Sequence, residues 1–538
     1  DLTSVLNKFN LSENIDLKIS NIEEFDFQIN NLVKHQQHIN INEIKKQFEE
    51  KLSNCDEIFN YEITKSLFIN IELNLDLILN EFENLNEIIK IDKKQKIIID
   101  YGGPNIGKPL HVGHLRSLNI GRSLYSINKA AGNQIVSDIH LGDWGMPIAQ
   151  ILTFCEENDI QIDKLTINKL VEIYPKASSL YQNKKDFEEK AKKINLDLNN
   201  SDKETLKKWA MIKKLSIDSI KTTLDKLNHG FDFWLGESDV NHLIPEMLKN
   251  LEDTNKISKD NGAFVSNLDC DPKILITKSD GSYLYLTTDL ATVLHRLKNN
   301  EFDKILYVVD NRQTLHFKQL FDSINYFSFS NKNFEHISFG TVNDENGNPL
   351  KTRDGGTKQL NELFLETYNY IKKMNDSLDE ENLEILANTV ITYSDLLTNR
   401  KTDYKFDLKK FTNVNGKTGI YIQYALVRAK KLFLDSKVVK KDLKLNSLLL
   451  DTEDIDFLKC LIKFEIHFNQ ALTNSEPHHL ADYLYDISNL FNKIYQSENI
   501  LNNENNEKKL NKLLICYYFI EYSNLLMKLL GIRSVSKM

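Results

Sequence analysis

The sequence is short of the residues that usually indicate an extracellular or membrane protein. Its 538 residues include only five cysteines, which lie tens of residues apart without any Cys-x-x-Cys pair, so neither a disulfide framework nor a zinc site is indicated. The longest apolar run, residues 513–520, is far below the roughly 20 residues that span a bilayer. These absences exclude a disulfide-stapled secreted domain and predict a cytoplasmic chain that needs no membrane.

Arginine and glycine are also scarce, and both are unevenly distributed. Only 8 of the 68 basic residues are arginine, so each retained arginine indicates a need for the planar guanidinium rather than for a point charge. None of the 19 glycines lies in residues 1–101, whereas eight fall within residues 102–145. We therefore expect the backbone of that second segment to approach another group closely.

The charged residues divide the chain into regions of different character. The net charge of −9 comes from residues 1–90, which hold 8 basic and 17 acidic side chains, so the remainder is neutral overall. Within that remainder, residues 400–444 carry 13 basic and 4 acidic side chains. This basic strip suits a structured RNA partner. A lysine-rich, solvated helix face is the alternative.

Hydrophobic periodicity predicts a multidomain chain. Residues 1–92 alternate helical and strand-like spacing and predict a small α+β domain. Residues 93–360 begin with strand, glycine-rich turn, helix and strand, a βαβ unit that predicts a Rossmann-like parallel sheet, with a mostly helical insertion at about 150–265. Residues 361–538 predict an all-α bundle. The predicted strands of the second region are 96–101, 134–140, 273–277, 283–286, 304–309 and 336–341, and its main helices are 112–131, 289–298 and 315–326.

The clearest chemical motif is His111-Val112-Gly113-His114, which follows the first strand and turn of this region. Two histidines three residues apart share one face of a beginning helix, where backbone N–H groups already favour an anion. Gly113 has no Cβ, which leaves room for a flat adenine ring. The motif therefore fits a nucleotide, and the alternative for the motif alone is a pair of ordinary histidines.

In this context the sequence resembles the class I aminoacyl-tRNA synthetases, whose HIGH signature occurs here, and more narrowly the arginyl-tRNA synthetases. The similar segments are residues 100–105, 111–117, 141–145, 233–238, 278–281, 285–289, 307–313, 351–356 and 416–425. The resemblance implies a class I catalytic domain between an N-terminal tRNA-contacting domain and a helical anticodon-binding domain. It also implies that arginine and ATP give arginyl-adenylate, from which arginine is transferred to the 3′-terminal ribose of tRNA(Arg).

The resemblance assigns the nucleotide to the residues around the histidine motif. His111 and His114 are expected to donate hydrogen bonds to ATP, with Gly113 against the adenine and Lys108 near the phosphates. ATP is a substrate, and Mg²⁺ is expected to bind mainly through its phosphates, without a tightly held protein metal.

One departure from the class concerns the mobile KMSKS loop, which corresponds here to residues 349–353. Thr352 stands where the class usually has its second lysine. The resemblance implies that Lys108 compensates for this loss. Lys351 and Arg353 remain as catalytic candidates within the loop.

The resemblance places the amino acid among Asp100, Asn105, Tyr285, Asp289 and Gln313. A guanidinium offers five N–H donors in one plane, and carboxylates accept them in pairs. Asn105 is expected at the α-amino or carboxylate group of arginine. Without the resemblance, Tyr285 would be interpreted as a core aromatic and Asp289 as a helix N-terminal charge.

The expected tRNA contacts are Tyr421, Tyr424, Arg428, Lys430 and Lys431, which combine aromatic rings for stacking with cations for phosphates. The expected partners are tRNA(Arg), arginine and ATP, and we expect a monomer. Two alternatives stay open at this stage. One is another class I synthetase or a related nucleotidyltransferase, and the other is a non-catalytic RNA-binding paralogue.

Overall fold

A computed structural model describes residues 3–11, 15–38, 40–74, 94–279, 281–299, 301–344, 346–348, 350, 357–443 and 445–538. The chain divides into two compact units. The first unit contains residues 1–90, 424–474 and 482–526, and the second contains residues 91–423, 475–481 and 527–538.

The N-terminal part of the first unit is an α+β fold, as its periodicity predicts. Its elements are α1 (Thr3–Lys8), β1 (Leu17–Ile19), β2 (Phe27–Ile29), α2 (Asn31–Lys34), α3 (Ile41–Ser53), β3 (Ile58–Ile63) and β4 (Ile69–Leu73). The strands form an antiparallel sheet of order β1-β2-β4-β3. Helix α3 buries Ile44, Phe48 and Leu52 in the same apolar cluster as the sheet residues Phe27 and Ile69.

A parallel sheet organises the second unit, as the βαβ pattern predicts. Its strands are β5 (Lys96–Tyr101), β6 (Gln134–Asp138), β9 (Lys304–Val308) and β10 (Asn333–His336), in the order β10-β9-β5-β6. β5 pairs with β6 on one side and with β9 on the other, and its five residues after Lys96 are all buried. Later strands are therefore added on opposite sides of β5, and in such sheets ligands bind beyond the carboxyl ends of the strands at this switch in strand order.

Helices surround the sheet and form the insertion predicted at about 150–265. The elements are α4 (Leu115–Ala130), α5 (Met146–Glu157), α6 (Ile167–Asn183), α7 (Lys185–Asn199), α8 (Lys203–Lys226), α9 (Glu237–Val240), α10 (Ile244–Asp253), the hairpin β7 (Ile257–Asp260) and β8 (Ala263–Ser266), α11 (Tyr285–Asn299) and α12 (Thr314–Tyr326). Helix α4 follows β5 and packs along it, and helices α5 to α8 share one apolar cluster.

Two of the predicted strands were misplaced. The strand predicted at 283–286 is wrong, because Tyr285 is the first residue of α11. The alternation of aromatic, leucine and threonine residues imitates a strand there, but Leu286, Leu290 and Val293 are buried at helical spacing. The strand predicted at 336–341 lies earlier in the chain, as β10.

The structure has no continuous strand at residues 273–277, where one was predicted. This segment makes only isolated bridges, from Leu275 to Val265 and from Thr277 to Tyr283. It therefore lies beside the hairpin of β7 and β8 and takes no part in the parallel sheet.

The second unit continues to residue 423, beyond the boundary predicted at residue 361. Helices α13 (Leu360–Met374), α14 (Glu380–Leu396) and α15 (Leu408–Phe411) belong to this unit, with the short parallel pair β11 (Val342–Asn343) and β12 (Tyr404–Lys405). Helix α14 is buried from Leu383 to Leu396 apart from one residue, and its Asp395 accepts hydrogen bonds from Arg116 (2.9 Å) and Asn119 (2.9 Å) of α4. Helical periodicity does not reveal the partner of a helix, so the sequence could not assign α14.

The last five helices are α16 (Gly419–Ser436), α17 (Thr452–Ile462), α18 (Phe464–Thr473), α19 (His478–Ser497) and α20 (Asn506–Leu530). Where these helices belong to the first unit, aromatic rings pack between them. Phe491 and Phe519, for example, stack with ring centroids 4.3 Å apart. Among the described helices, α20 alone is long and apolar enough to cross a membrane, yet 67% of its most apolar window is buried. Core helices of globular proteins share this property.

Candidate active site

The histidine motif forms a rigid turn at the start of α4. Residues 112–114 make one 3₁₀ turn, and the Nδ1 atom of His111 accepts a hydrogen bond from the Gly113 N–H (3.1 Å). The Nδ1 atom of His114 accepts from the His111 N–H (3.1 Å), and the two ring centroids lie 4.0 Å apart. Because a backbone N–H can only donate, we assign the proton of the neutral His111 ring to Nε2.

Both histidines are held in the neutral form. Burial, with the charges of His111 and Lys108, lowers the pKa of His114 to about 3. Burial and Lys108 also lower the pKa of His111. At neutral pH neither ring therefore carries a positive charge, and His111 offers an Nε2–H donor, whereas the Nδ1 atom of His114 also lies 3.2 Å from the His111 carbonyl oxygen.

Gly113 serves the histidines directly. A Cβ at this residue would lie 2.8 Å from the His111 ring, so a larger residue would displace the imidazole. The residue itself is exposed, which leaves its backbone accessible.

The predicted partner of the histidines, Lys108, lies in a constrained loop. Gly107 has φ +82°, donates its N–H to Ser216 Oγ (2.9 Å) and leaves no room for a Cβ beside Ile151. The Lys108 ammonium lies 3.9 Å from the centroid of the Tyr174 ring. The lysine charge therefore stands close to His111 and is held by an aromatic face.

The segment that follows the loop predicted to close over the phosphates is hydrogen-bonded to the histidine motif. Lys351 and Arg353 of the loop lie outside the described residues. The segment after them lies beside the histidine motif, since Val112 donates to the Lys358 carbonyl (3.0 Å) and Leu360 to the Leu110 carbonyl (3.0 Å). The described segment that follows the loop is thereby held next to the proposed nucleotide residues.

The predicted guanidinium ligand Asp289 lies on the second turn of α11. Its carboxylate is 2.6 Å from the Nε2 atom of His316 on α12. Tyr285, one turn earlier, is 72% exposed, and partial burial of its phenol with the charges of Glu237 and Tyr174 raises its pKa. The helix thus presents a carboxylate and an accessible aromatic ring four residues apart.

Glu237, which sequence reasoning left without a role, adds a second carboxylate to this region. Burial, with the neighbouring charges of Asp143 and Asp289 and against that of His140, raises the pKa of Glu237 to about 7. A carboxylate whose ionisation is opposed by burial is stabilised by a cation beside it, so it is a natural acceptor for one. The signal available in the sequence was an acidic residue within the family-like segment 233–238.

Buried contacts fix the segment that carries Glu237. Asp143 is fully buried and accepts hydrogen bonds from the N–H (2.9 Å) and the hydroxyl (2.7 Å) of Ser238. Lys213 of α8 forms an ion pair with the same carboxylate at 2.5 Å. An insertion helix therefore helps to position this side of the site.

Asp100, which was predicted to bind the substrate, forms an ion pair within the protein. Its carboxylate and that of Asp138 both accept from Nη2 of Arg296, at 2.5 and 2.6 Å, and Arg296 is only 1% exposed. The guanidinium that Asp100 contacts in this structure therefore belongs to the chain itself. Arg296 is one of the eight retained arginines, and its second terminal nitrogen, Nη1, donates to the Tyr307 hydroxyl (3.4 Å).

The two predicted amide ligands are on the surface. Asn105 is exposed, lies across Gly142 and joins it in a parallel bridge. Gln313 is exposed at the end of the turn before α12. The structure thus brings His111 and His114 together with Lys108. Among the described residues, no hydrogen bond or ion pair joins Asn105 or Gln313 to the histidine motif or to Asp289.

The predicted RNA-contacting residues lie on α16. Arg428 donates to the Tyr424 hydroxyl (2.6 Å), and its guanidinium carbon lies 3.9 Å from the Tyr424 ring and 5.3 Å from the Tyr495 ring. Lys431 is exposed, whereas Lys430 is half-buried and burial lowers its pKa.

Tyr421, one turn before Tyr424, is half-buried. Its N–H donates to Thr418 Oγ1 (3.1 Å). The exposed cation on this helix is therefore Lys431, and the exposed ring is Tyr424, two turns before it.

Comparison with known proteins agrees with this architecture. The family description "tRNA synthetases class I (R), catalytic domain" matches residues 75–408, and "DALR anticodon binding domain" matches residues 422–538. The chain is 35% identical over 529 residues to the arginine–tRNA ligase of Francisella tularensis subsp. novicida, with 92% of this chain and 90% of the relative covered. It is 34% identical over 506 residues to that of Agathobacter rectalis, with 85% and 84% covered.

The fold is also similar to a crystal structure of arginyl-tRNA synthetase from Plasmodium falciparum. The TM-score is 0.83 at 24% identity, with 100% of this chain and 98% of the other covered. The resemblance found in the sequence is thus confirmed over nearly the whole length. This chain belongs to the arginine–tRNA ligases, a family of class I aminoacyl-tRNA synthetases.

Proposed function

We propose that the site described above performs the arginine–tRNA ligase reaction. The carboxylate of arginine attacks the α-phosphate of ATP, pyrophosphate leaves, and the arginyl group then passes from the adenylate to the 3′-terminal ribose of tRNA(Arg). The observation that carries this proposal is the contact between helices α9 and α11, which bring the carboxylates of Glu237 and Asp289 into one region, with Asp289 held 2.6 Å from His316 Nε2. Such a pair suits the guanidinium of the substrate.

The nucleotide is assigned to the histidine motif and the loop before it. The Nε2–H groups of His111 and His114 would donate to ATP, with the accessible backbone of Gly113 near the adenine. Lys108 would balance the charge of the α-phosphate and of the departing pyrophosphate. Lys351 and Arg353 remain proposed contributors from the following loop.

Mg²⁺ would accompany ATP without a dedicated protein site. Residues 102–114 contain no aspartate or glutamate, so this segment offers donors and positive charge but no carboxylate ligand. The metal would therefore be held mainly by phosphate oxygens and water and would neutralise phosphate charge.

The amino acid is assigned to the region between α9 and α11. The guanidinium would bind Asp289 and Glu237 and stack on the exposed ring of Tyr285. The amide of Asn105 would bind the α-amino or carboxylate group, and Gln313 would assist Asp289 at the guanidinium. Asp100 is assigned an indirect part, because it fixes Arg296 behind the pocket.

The tRNA is assigned to α16 and to the domain that this helix begins. Tyr424 and Tyr421 would stack on bases, while Arg428, Lys430 and Lys431 would provide positive charge for phosphates. The monomeric state expected from the sequence stays a prediction. The membership of a translation-enzyme family supports a cytoplasmic location.

Aminoacylation assays test this proposal. We expect arginine, and none of the other common amino acids, to support tRNA-stimulated ATP–pyrophosphate exchange and charging of tRNA(Arg). Asp289→Asn should raise the KM for arginine far more than the KM for ATP. The matched control is Asp322→Asn, which removes an exposed carboxylate that pairs with Lys318 on α12. Exchange supported by another amino acid, or equal changes of both KM values, would contradict the proposal.

A further inference from the structure

Lys108 makes the shortest cation–π contact of any lysine among the described residues. Its ammonium lies 3.9 Å from the Tyr174 ring centroid, well within the roughly 6 Å of a cation–π contact. None of the ion pairs among the described residues includes Lys108, although many other lysines of those residues pair with carboxylates. An aromatic face therefore takes the place that a carboxylate usually has.

Both partners of this contact are fixed by buried structure. The backbone before Lys108 is held by Ser216 of α8 and by the close approach of Ile151 of α5. Tyr174 lies on α6 between the buried side chains of Ile173 and Ala177 and packs against the apolar cluster of the insertion. The helical insertion thus determines where the ammonium rests.

The chemistry of the contact suits a lysine that must bind phosphate. A carboxylate partner would neutralise the ammonium and compete with phosphate oxygens for it. A tyrosine ring attracts the cation weakly and keeps its charge, so the lysine remains available.

We propose that Tyr174 is a positioning residue for adenylate formation, holding the Lys108 ammonium in reach of the ATP phosphates without cancelling its charge. This inference rests on the proposed function, in which Lys108 stabilises the transition state. Preorganised charge lowers the barrier because less reorganisation is needed when the reaction occurs. Tyr174 acts through Lys108 and does not itself touch the reacting atoms.

Three substitutions distinguish the effect of the Tyr174 ring on kcat from the effects of its hydroxyl group and of helix packing. In tRNA-stimulated exchange assays, Tyr174→Leu should lower kcat by about 3- to 20-fold. Tyr174→Phe, which keeps the ring face, should restore most of this rate. Tyr181→Leu is the matched control, because Tyr181 lies two turns further along α6 and is partly buried in the same cluster. Its kcat should stay within about twofold of the wild type.

The double variant distinguishes this inference from the proposed function. Lys108→Ala should lower kcat by about 10²- to 10³-fold, and adding Tyr174→Leu should lower it no further. If Lys108→Ala leaves kcat within about threefold, the proposed role of Lys108 fails. If Lys108→Ala is slow but Tyr174→Leu lowers kcat equally in both backgrounds, the role of Lys108 stands and Tyr174 acts elsewhere, which overturns the inference.

A nearly isosteric series covers the case in which Tyr174→Leu does not fold. Phenylalanine and its mono-, di- and trifluorinated analogues can be introduced at residue 174, where each fluorine withdraws electron density from the ring face. We expect kcat to fall stepwise with fluorination in the Lys108 background and to be independent of it in Lys108→Ala. A kcat that does not change with fluorination in the Lys108 background would overturn the inference.

Discussion

The Nε2 atom of His316 lies 2.6 Å from a carboxylate oxygen of Asp289, which connects two successive helices at the candidate arginine pocket. The pair is partly accessible, with side chains 26% and 33% exposed. One oxygen of Asp289 is thereby fixed, and the carboxylate plane is set before any ligand arrives. A preoriented carboxylate suits the planar donors of a guanidinium.

His316→Ala is therefore expected to weaken arginine binding through Asp289. The loss of one hydrogen bond to a charged group, worth about 1–2 kcal/mol, should raise the KM for arginine by roughly 5- to 30-fold. The KM for ATP should change little, and His316→Gln, which keeps an N–H donor, should recover part of the affinity. The double variant with Asp289→Asn should be no worse than Asp289→Asn alone, and an additive loss would contradict this coupling.

The ionisation of Glu237 predicts a pH dependence of arginine use. Because burial and nearby carboxylates raise the pKa of Glu237 to about 7, a growing fraction is protonated below pH 7 and cannot accept the guanidinium. We expect kcat/KM for arginine to rise with pH up to about 7 and then to level off. His140, whose pKa is also raised, contributes in the same direction, since its positive charge repels arginine.

Glu237→Gln distinguishes the contribution of Glu237 to the pH dependence from that of His140. The variant should have a higher KM for arginine and a much flatter pH profile on either side of the raised pKa of about 7. A profile that keeps its full slope would assign the titration to His140 or to another group.

The same carboxylate predicts a gain in stability when its charge is removed. A carboxyl group whose folded pKa exceeds its ordinary value of 4.5 favours folding only while it is protonated. Its contribution is fully present below pH 4.5 and is lost as the pH rises through about 7. Glu237→Gln should therefore be more stable than the wild type at about pH 8, by up to about 3 kcal/mol, and equally stable near about pH 4. Urea unfolding at the two pH values measures the difference.

The buried cluster of Asp100, Asp138 and Arg296 predicts a structural effect. Arg296→Met leaves two buried carboxylates without their cation and should reduce the stability by about 3–5 kcal/mol. Asp100→Asn should also lower the unfolding midpoint, while raising the KM for arginine less than Asp289→Asn does. An Asp100→Asn variant with unchanged stability and a strongly raised KM for arginine would instead make Asp100 a direct ligand of the substrate.

The basic face of α16 predicts a salt-dependent interaction. Arg428→Ala with Lys431→Ala should weaken tRNA binding and reduce the log–log salt slope by roughly 0.7–0.9 for each phosphate that the protein no longer neutralises. Lys193→Ala with Lys207→Ala, which removes two exposed charges from insertion helices α7 and α8, should leave the slope unchanged and controls for net charge. An unaltered slope in the first variant would identify this helix surface as a solvated face only.

The sequence by itself determined the family, the parallel sheet and the histidine motif. The reason is that these features are local: an apolar run bounded by glycines, a turn of fixed spacing and residue types that few other structures require. The strand at residues 96–101 and the helix that follows needed no information from distant parts of the chain.

Only the tertiary structure decided which side chains meet. Asp100 and Arg296 are 196 residues apart, Asp289 and His316 are 27 apart, and Lys108 meets a tyrosine of the insertion. It also decided that α14 packs within the sheet-containing unit and that Glu237 shares a region with Asp289. Periodicity records that a face is buried but not what buries it, and the energy of a charge depends on neighbours that the fold brings from elsewhere.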